Sequence, residues 1–100
     1  MLKDFRTYQL ALELYDECSK VKLKGGLKDQ MARASSSIVL NLAEGSAKSS
    51  HKERARFYQI ALGSLREVQA ILAITKTKVN LIDQVGGGIF RLIQNPGPDF

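Results

Sequence analysis

Apolar residues recur at helical spacing in four segments of this chain. In the second segment, one helical face carries a row of apolar residues: Leu27, Met31, Ala34, Ile38 and Leu42. The opposite face is also small or apolar: Ala32, Ser36, Val39, Leu40 and Ala43. Surface helices normally pair one apolar stripe with one charged face. The pattern therefore predicts a helix from about Leu27 to Glu44, packed on two sides and ended by Gly45 as its C′ residue.

The first and third segments each predict an amphipathic helix. The first is expected to begin near Asp4, as its N-cap, with an apolar face made of Phe5, Tyr8, Leu12 and Tyr15 and flanked by Ala11 and Cys18. The third is expected to run from about Ser50 to Lys76, because Ser50 and Glu53 have capping-box spacing. Its apolar residues alternate in spacing between three and four, as in the seam of a helical bundle: Tyr58, Ala61, Leu65, Val68, Leu72 and Thr75.

The fourth segment predicts a helix interrupted by glycine. Asn80 is its expected N-cap, and its apolar residues are Leu81, Ile82, Val85, Ile89, Leu92 and Ile93. Each glycine of Gly86–Gly88 costs about 1 kcal/mol relative to alanine in a helix interior. The segment is therefore either one continuous weak helix held by close packing or two short pieces. Together the segments predict an all-α, antiparallel up-down four-helix bundle as a single domain over residues 1–95, with a loose C-terminal tail over residues 96–100.

The composition suits one globular domain and offers little for catalysis. Of the 100 residues, 44% are hydrophobic and 25% are charged, which is ordinary for a soluble protein. One cysteine, Cys18, and one histidine, His51, exclude an internal disulfide, a cysteine-based metal site and a histidine cluster. No apolar run approaches the roughly 20 residues of a membrane span. We expect a cytoplasmic protein without a cofactor, a metal ion, a membrane partner or enzymatic activity.

The formal net charge of +5 favours a polyanionic partner. Lys52, Arg56 and Arg66 fall on one side of the third helix, about 21 Å from first to last at 1.5 Å per residue. A row of this length could follow several phosphates, and Lys48 and Arg54 lie toward the same end. The sequence thus suggests a nucleic-acid-binding surface, with an ordinary solvated helix face as the alternative.

A polar cluster is expected where the second helix meets the third: Arg33, Ser37, Asn41, Glu44 and Glu67. Counting back across the intervening turn places Ser37 near Tyr58. The same count brings Arg33 within possible reach of Glu67. Because no histidine, cysteine or second convergent carboxylate accompanies Glu44 or Glu67, we expect these groups to fix helix register and subunit contacts rather than to catalyse a reaction.

The apolar surface exceeds what one bundle can cover. The second helix is small or apolar on opposite faces, and the third has more apolar surface than a helix pair would bury. We therefore expect a homo-oligomer. The candidate contact residues lie on the second helix: Ala32, Ser36, Val39 and Ala43.

Three stretches resemble the signature of one family: residues 30–38, residues 41–45 and residues 57–67. It is the four-helix-bundle family of proteins encoded in intervening sequences of bacterial 23S ribosomal RNA genes, which includes the accessory variability determinant of diversity-generating retroelements. The resemblance covers residues 5–74 and implies a ring-like pentamer. For the retroelement branch it implies a basic surface that binds nucleic acid and a reverse transcriptase. From the intervening-sequence branch the resemblance carries over no established activity.

Two functions remain open at this point. The first is a basic homo-oligomeric accessory protein that binds RNA or DNA and docks a reverse transcriptase. The second is an oligomeric protein-interaction scaffold whose charge serves solubility alone. The row of Lys52, Arg56 and Arg66 discriminates between them, because only the first function requires these cations to contact phosphates.

Overall fold

The computed structural model describes residues 2–98 and contains four α-helices within that range. They are α1 (Arg6–Ser19), α2 (Gly26–Ser46), α3 (His51–Thr75) and α4 (Ile82–Gln94), preceded by a short 3₁₀ turn, Leu2–Asp4. The described part of the chain contains no β-strand. Helices α1 and α3 each pack against both α2 and α4, in a body of 44 × 21 × 18 Å. The predicted all-α four-helix bundle is therefore confirmed.

Contacts between α2 and α3 show the relative direction of these two helices. Arg33 meets Glu67, and four residues later in α2, Ser37 meets Ser64. Because the contact partner moves backwards along α3 as α2 advances, the two helices run antiparallel. The up-down arrangement of all four helices stays a prediction.

The heptad seam of α3 lies in the core. Tyr58, Ala61, Leu65, Val68 and Leu72 are buried, and Thr75 is half-buried at the end of the helix. The inner face predicted for α2 is also correct, since Met31, Ala34, Ile38 and Leu42 are buried. Burial of such apolar side chains is the main source of folding free energy.

The face predicted for α1 is only partly correct, because its flanking residues Ala11 and Cys18 are buried but two of its four central residues are exposed. The buried residues of this helix are Leu10, Ala11, Leu14 and Cys18, whereas Leu12 and Tyr15 are exposed. Two apolar stripes overlap on this helix, and the aliphatic one meets the rest of the bundle. Phe5 and Tyr8 are only half-buried; their rings lie 6.3 Å apart, and Phe5 meets the ring of Tyr58 edge-on.

Helix boundaries differ from the predictions at several ends. Helix α1 begins at Arg6 with Phe5 as its N-cap residue, not Asp4. Helix α4 follows Leu81 rather than Asn80. The start of α3 is confirmed, because the Ser50 hydroxyl accepts a hydrogen bond of 3.1 Å from the Glu53 amide. This bond satisfies one of the amides that lack a partner within the helix.

Gly45 does not end α2 but lies inside it. The helix continues to Ser46, and a β-carbon at Gly45 would lie only 2.7 Å from Cε1 of Tyr58. Glycine therefore permits α2 to approach α3 closely at this point, which is a packing role rather than the predicted C′ role.

Helix α4 is continuous through Gly86–Gly88, in agreement with the first of the two alternatives. A β-carbon at Gly88 would lie 2.6 Å from Oγ1 of Thr7 in α1. One at Gly86 would lie 3.1 Å from Cδ2 of Leu65 in α3. The glycines thus let α4 pack closely on both neighbours, which offsets their low helix propensity.

The segment after α4 returns over the start of α3. Arg54 donates hydrogen bonds to the carbonyl oxygens of Pro96, at 2.6 Å, and of Pro98. The His51 ring pairs with the carbonyl of Gly97 at 2.9 Å. The predicted loose tail is therefore attached through Pro98, and residues 99–100 lie outside the described residues. None of the helices in residues 2–98 is long and apolar enough to cross a membrane.

Candidate nucleic-acid interface

Lys52, Arg56 and Arg66 are all exposed along α3. Within residues 2–98, none of the three takes part in an ion pair. Gly63 lies between Arg56 and Arg66 and is also exposed, and a β-carbon there would meet nothing within 4 Å. The row predicted from the helical wheel is thus an accessible surface, and Gly63 adds no side chain to it between Arg56 and Arg66.

Two cations surround the ring of Phe57 near the α2–α3 connection. The guanidinium carbon of Arg56 lies 5.5 Å from the ring centroid, and Nζ of Lys48 lies 5.3 Å from it. These are cation–π distances. Lys48 also pairs with Glu44 at 3.1 Å, so its charge is partly compensated by that carboxylate. Lys48 therefore adds less positive potential to this surface than Arg56 does.

Arg54 does not belong to the exposed cations, contrary to the prediction. Its exposed fraction is 4%. Besides the carbonyls of Pro96 and Pro98, its guanidinium donates to the carbonyl of Lys48 at 2.9 Å. A buried cation is tolerated when its N–H groups are hydrogen-bonded. Arg54 precedes Tyr58 by four residues and so lies on the apolar stripe of α3. This position indicates burial, but the charge of the side chain led to the opposite prediction.

Arg66 also lines a groove between α3 and α4. The groove has a volume of about 420 Å³ and is lined on the α3 side by Leu62, Leu65, Arg66 and Gln69. Its α4 side is formed by Ile82, Asp83, Gly86, Gly87 and Phe90. The Phe90 ring is 48% exposed. Sequence reasoning missed this residue, although an aromatic residue directly after buried Ile89 falls off the apolar stripe and therefore points to exposure.

The structure brings together most of the polar cluster predicted between α2 and α3. Arg33 and Glu67 form an ion pair of 3.1 Å. The hydroxyls of Ser37 and Ser64 are 2.8 Å apart, and the Asn41 amide donates to the Ser37 carbonyl at 2.8 Å. Glu44, the fifth predicted member, pairs outside the cluster. Its partner is Lys48, which follows α2.

Ser37 contacts Ser64 rather than Tyr58, so the predicted register was wrong by about two turns. Side chains lean toward the N-terminus of their own helix. In an antiparallel pair this lean moves the contacting residue on α3 farther from the turn. Counting residues across the turn ignores this lean. It therefore places the partner of Ser37 too close to the start of α3.

The predicted subunit-contact residues differ in exposure. Ala32 is exposed and Ser36 and Ala43 are half-buried, but Val39 is buried in the core of this chain. Val39 is therefore largely used within the bundle and offers little area to a second copy. The neighbouring Leu40 is 65% exposed and is the larger apolar side chain on this face. Contact between copies through this face stays a prediction.

Comparison with known proteins identifies the family. The sequence profile of the 23S rRNA-intervening sequence proteins matches residues 3–86, more than four fifths of the chain. The chain belongs to this family. No curated protein and no solved structure matches the chain significantly.

The matched range contains α1, α2, α3 and the first residues of α4. All three exposed cations of α3 lie inside it. Phe90 and the segment held by Arg54 lie beyond its end. The α3–α4 groove therefore combines residues from the matched range with residues outside it.

Titratable groups in the core of the bundle favour packing over reactivity. Burial raises the pKa of the Cys18 thiol to about 11, and the carboxylate of Glu17 adds to the rise. The thiolate is the nucleophilic form, so this thiol is unreactive near neutral pH. Burial also raises the pKa of Tyr58, while Arg54 acts in the opposite direction. Residues 2–98 contain no group of three or more His, Cys, Asp or Glu side chains that could hold a metal ion.

Proposed function

We propose that this chain is a basic, non-enzymatic, homo-oligomeric accessory protein that binds nucleic acid in the cytoplasm. The observation that carries the proposal is the exposed row of Lys52, Arg56 and Arg66 on one helix. Cations that are exposed and outside ion pairs can contact phosphates without first breaking an ion pair. Phosphate contacts give binding with little sequence preference.

Salt dependence is the direct measure of these contacts. Each phosphate neutralised contributes a slope of about 0.9 to the fall of log affinity with log salt for duplex DNA, and about 0.7 for single strands. Three cations on one subunit therefore correspond to a slope of about two to three. An oligomer would repeat the row and steepen the slope.

The test is a salt titration of binding to a labelled RNA and to a DNA of the same sequence. Replacing Lys52, Arg56 and Arg66 with glutamine should weaken binding and flatten the slope by about two for each engaged subunit. The matched control replaces Lys22, Lys24 and Lys28, which are also exposed, and removes the same charge from the α1–α2 connection and the first turn of α2. Equal effects of the two triple variants would mean that net charge, and not this row, determines binding.

Homo-oligomerisation is the second part of the proposal, with five subunits as the expected number from the family resemblance. Leu40 and Ile60 are exposed apolar side chains on the antiparallel α2 and α3, and Ala43 is half-buried on the predicted contact face of α2. Sedimentation at micromolar concentration should show an assembly that Ala43→Glu dissociates. Gln84→Glu adds the same charge to an exposed position on α4 and should leave the assembly intact. A stable monomer of the unmodified chain would refute the assembly.

A reverse transcriptase partner is the most specific part of the proposal, and only the family resemblance supports it. The assembled protein should retain a reverse transcriptase on a column in low salt and release it when the row on α3 is replaced. The exposed apolar residues Leu40, Ile60 and Ile74 favour a second candidate, a protein-interaction scaffold that binds no nucleic acid. The scaffold is the better description if the triple variant keeps the affinity and the salt slope of the unmodified protein.

A further inference from the structure

We propose that the α3–α4 groove holds one unpaired base of a single-stranded nucleic acid, stacked on the ring of Phe90. The inference rests on the proposed nucleic-acid binding and adds the form of the ligand. Arg66 belongs both to the row of cations and to the wall of the groove. A strand whose phosphates follow the row therefore passes the mouth of the groove.

The groove has an aromatic wall that is open to solvent. Phe90 is one of the few large hydrophobic side chains of the described residues that are exposed, and it lines the groove directly. Proteins that bind single strands combine a cationic track for the backbone with aromatic side chains on which bases stack. Arg66 and Phe90 supply these two elements in the lining of one groove.

Glycine leaves the space that a base would occupy. Gly87 contributes no side chain to the α4 wall, whereas the space beside Gly86 is filled by Leu65, whose Cδ2 would lie 3.1 Å from a β-carbon there. A β-carbon at Gly87 would approach only the flexible end of Arg91, at 3.4 Å. A planar group can therefore lie against the backbone of α4 beside the Phe90 ring.

The polar groups of the groove suit a base better than a phosphate. Asp83 is an acceptor when ionised and repels a phosphate that enters the groove. It can accept a hydrogen bond from the exocyclic amino group of a base. The Gln69 amide can both donate and accept. The phosphate therefore stays on the Arg66 side, while the base enters.

The geometry selects an unpaired base. In a duplex the bases are stacked on their neighbours and their pairing edges are occupied, so they cannot enter a groove in the side of a helical rod without flipping out. The row of cations accepts either form of nucleic acid through its phosphates. Preference for single strands is thus assigned to Phe90 and the groove, and salt dependence to the row.

The experiment uses Phe90→Trp, because the chain contains no tryptophan and the new indole would be the sole emitter of its kind. We expect its fluorescence to be quenched by a single-stranded oligonucleotide and to change little with a duplex of equal length or with heparin, a polyanion without bases. Phe90→Leu should weaken single-strand binding by about 5- to 150-fold, the range for loss of one stacked base. Its salt slope should not change. Ile74→Ala, at an exposed position outside the groove, is the control and should bind as the unmodified protein does.

Several results would overturn the inference while leaving the proposed function in place. Phe90→Leu could bind single strands as tightly as the unmodified protein, or lose duplex and single-strand binding equally. Heparin could quench the indole as strongly as an oligonucleotide. A change in indole emission on dilution of the protein alone would assign the groove to contacts between copies of the chain. If the unmodified protein binds no nucleic acid even in low salt, the proposed function fails and the inference fails with it.

Discussion

Two neighbouring glycines of α4 should respond to alanine in opposite ways. Gly87→Ala and Gly88→Ala make the same chemical change one residue apart in the same helix. A β-carbon at position 87 would meet only Nη1 of Arg91, at 3.4 Å, and that side chain can move. One at position 88 would meet Oγ1, Cγ2 and Cβ of Thr7 at 2.6, 2.9 and 3.3 Å.

The expected changes in the free energy of unfolding follow from two terms, helix propensity and overpacking. Alanine is favoured over glycine by about 1 kcal/mol in a helix interior, and both variants gain this amount. Rotating the Thr7 side chain cannot relieve the overlap, because one of its two γ atoms would still face the new β-carbon. Gly88→Ala therefore requires α1 and α4 to move apart. Such overpacking costs about 1–3 kcal/mol. We therefore expect Gly87→Ala to be stabilised by about 1 kcal/mol and Gly88→Ala to be less stable than Gly87→Ala by about 1–3 kcal/mol.

Thermal and urea unfolding followed by circular dichroism measure both effects. The protein concentration must be the same for all variants, because assembly makes the midpoint depend on it. For a domain of this size, 1 kcal/mol corresponds to about 4–8 °C in Tm. Thr7→Ala should rescue Gly88→Ala in a double-mutant cycle, since it removes both γ atoms. Equal stabilisation by the two glycine substitutions, or no coupling to Thr7, would refute the close packing of α4 on α1.

Three further predictions test other parts of the fold. Gly45→Ala should destabilise the protein by about 1–3 kcal/mol in urea unfolding, because its β-carbon would overlap the ring of Tyr58; a gain in stability would contradict the α2–α3 approach. Arg54→Met should cost about 1–3 kcal/mol because it leaves the buried carbonyl of Pro96 without its donor, whereas Arg33→Met at an exposed ion pair should cost about 1 kcal/mol or less; equal costs would contradict the burial of Arg54. Stability should fall between pH 9 and 11, since the Cys18 thiol ionises near 9.0 when unfolded and near 11 when folded, so the unfolded state loses its proton first; Cys18→Ala should reduce this fall, and an unchanged pH profile would contradict it.

The central helices could be predicted from sequence because their signals are local. The seam of α3 repeats apolar residues at intervals of three and four, and the Ser50–Glu53 cap marks where it starts. Both features act within one or two turns of the helix and do not depend on distant residues. The exposed cations Lys52 and Arg56 follow from the same wheel, since a face opposite a complete apolar seam must face outwards.

Where two local patterns predict different buried faces, the sequence alone does not show which face is buried. Helix α1 has an aromatic stripe that includes Tyr15 and an aliphatic one that includes Leu14. Either stripe satisfies the helical period, and only packing against α2 and α4 decides that Leu14 is inside. The alternatives for Gly86–Gly88 were equivalent in the same way, because the loss of helix propensity is local but the compensating contact with Thr7 comes from another helix.

By itself, then, the sequence determined the four helices, the seam of α3, the row of cations and the resemblance to the family, all of which depend on residues near one another in the chain. Tertiary structure decided the burial of Arg54, the role of Gly45 and the exposure of Phe90 beside Arg66. These features join residues far apart in sequence: the segment after α4 returns to Arg54, and α4 meets α3 to form the groove. A side chain's charge or hydrophobicity gives the free energy of its transfer from water, but only the neighbouring elements decide whether that transfer takes place.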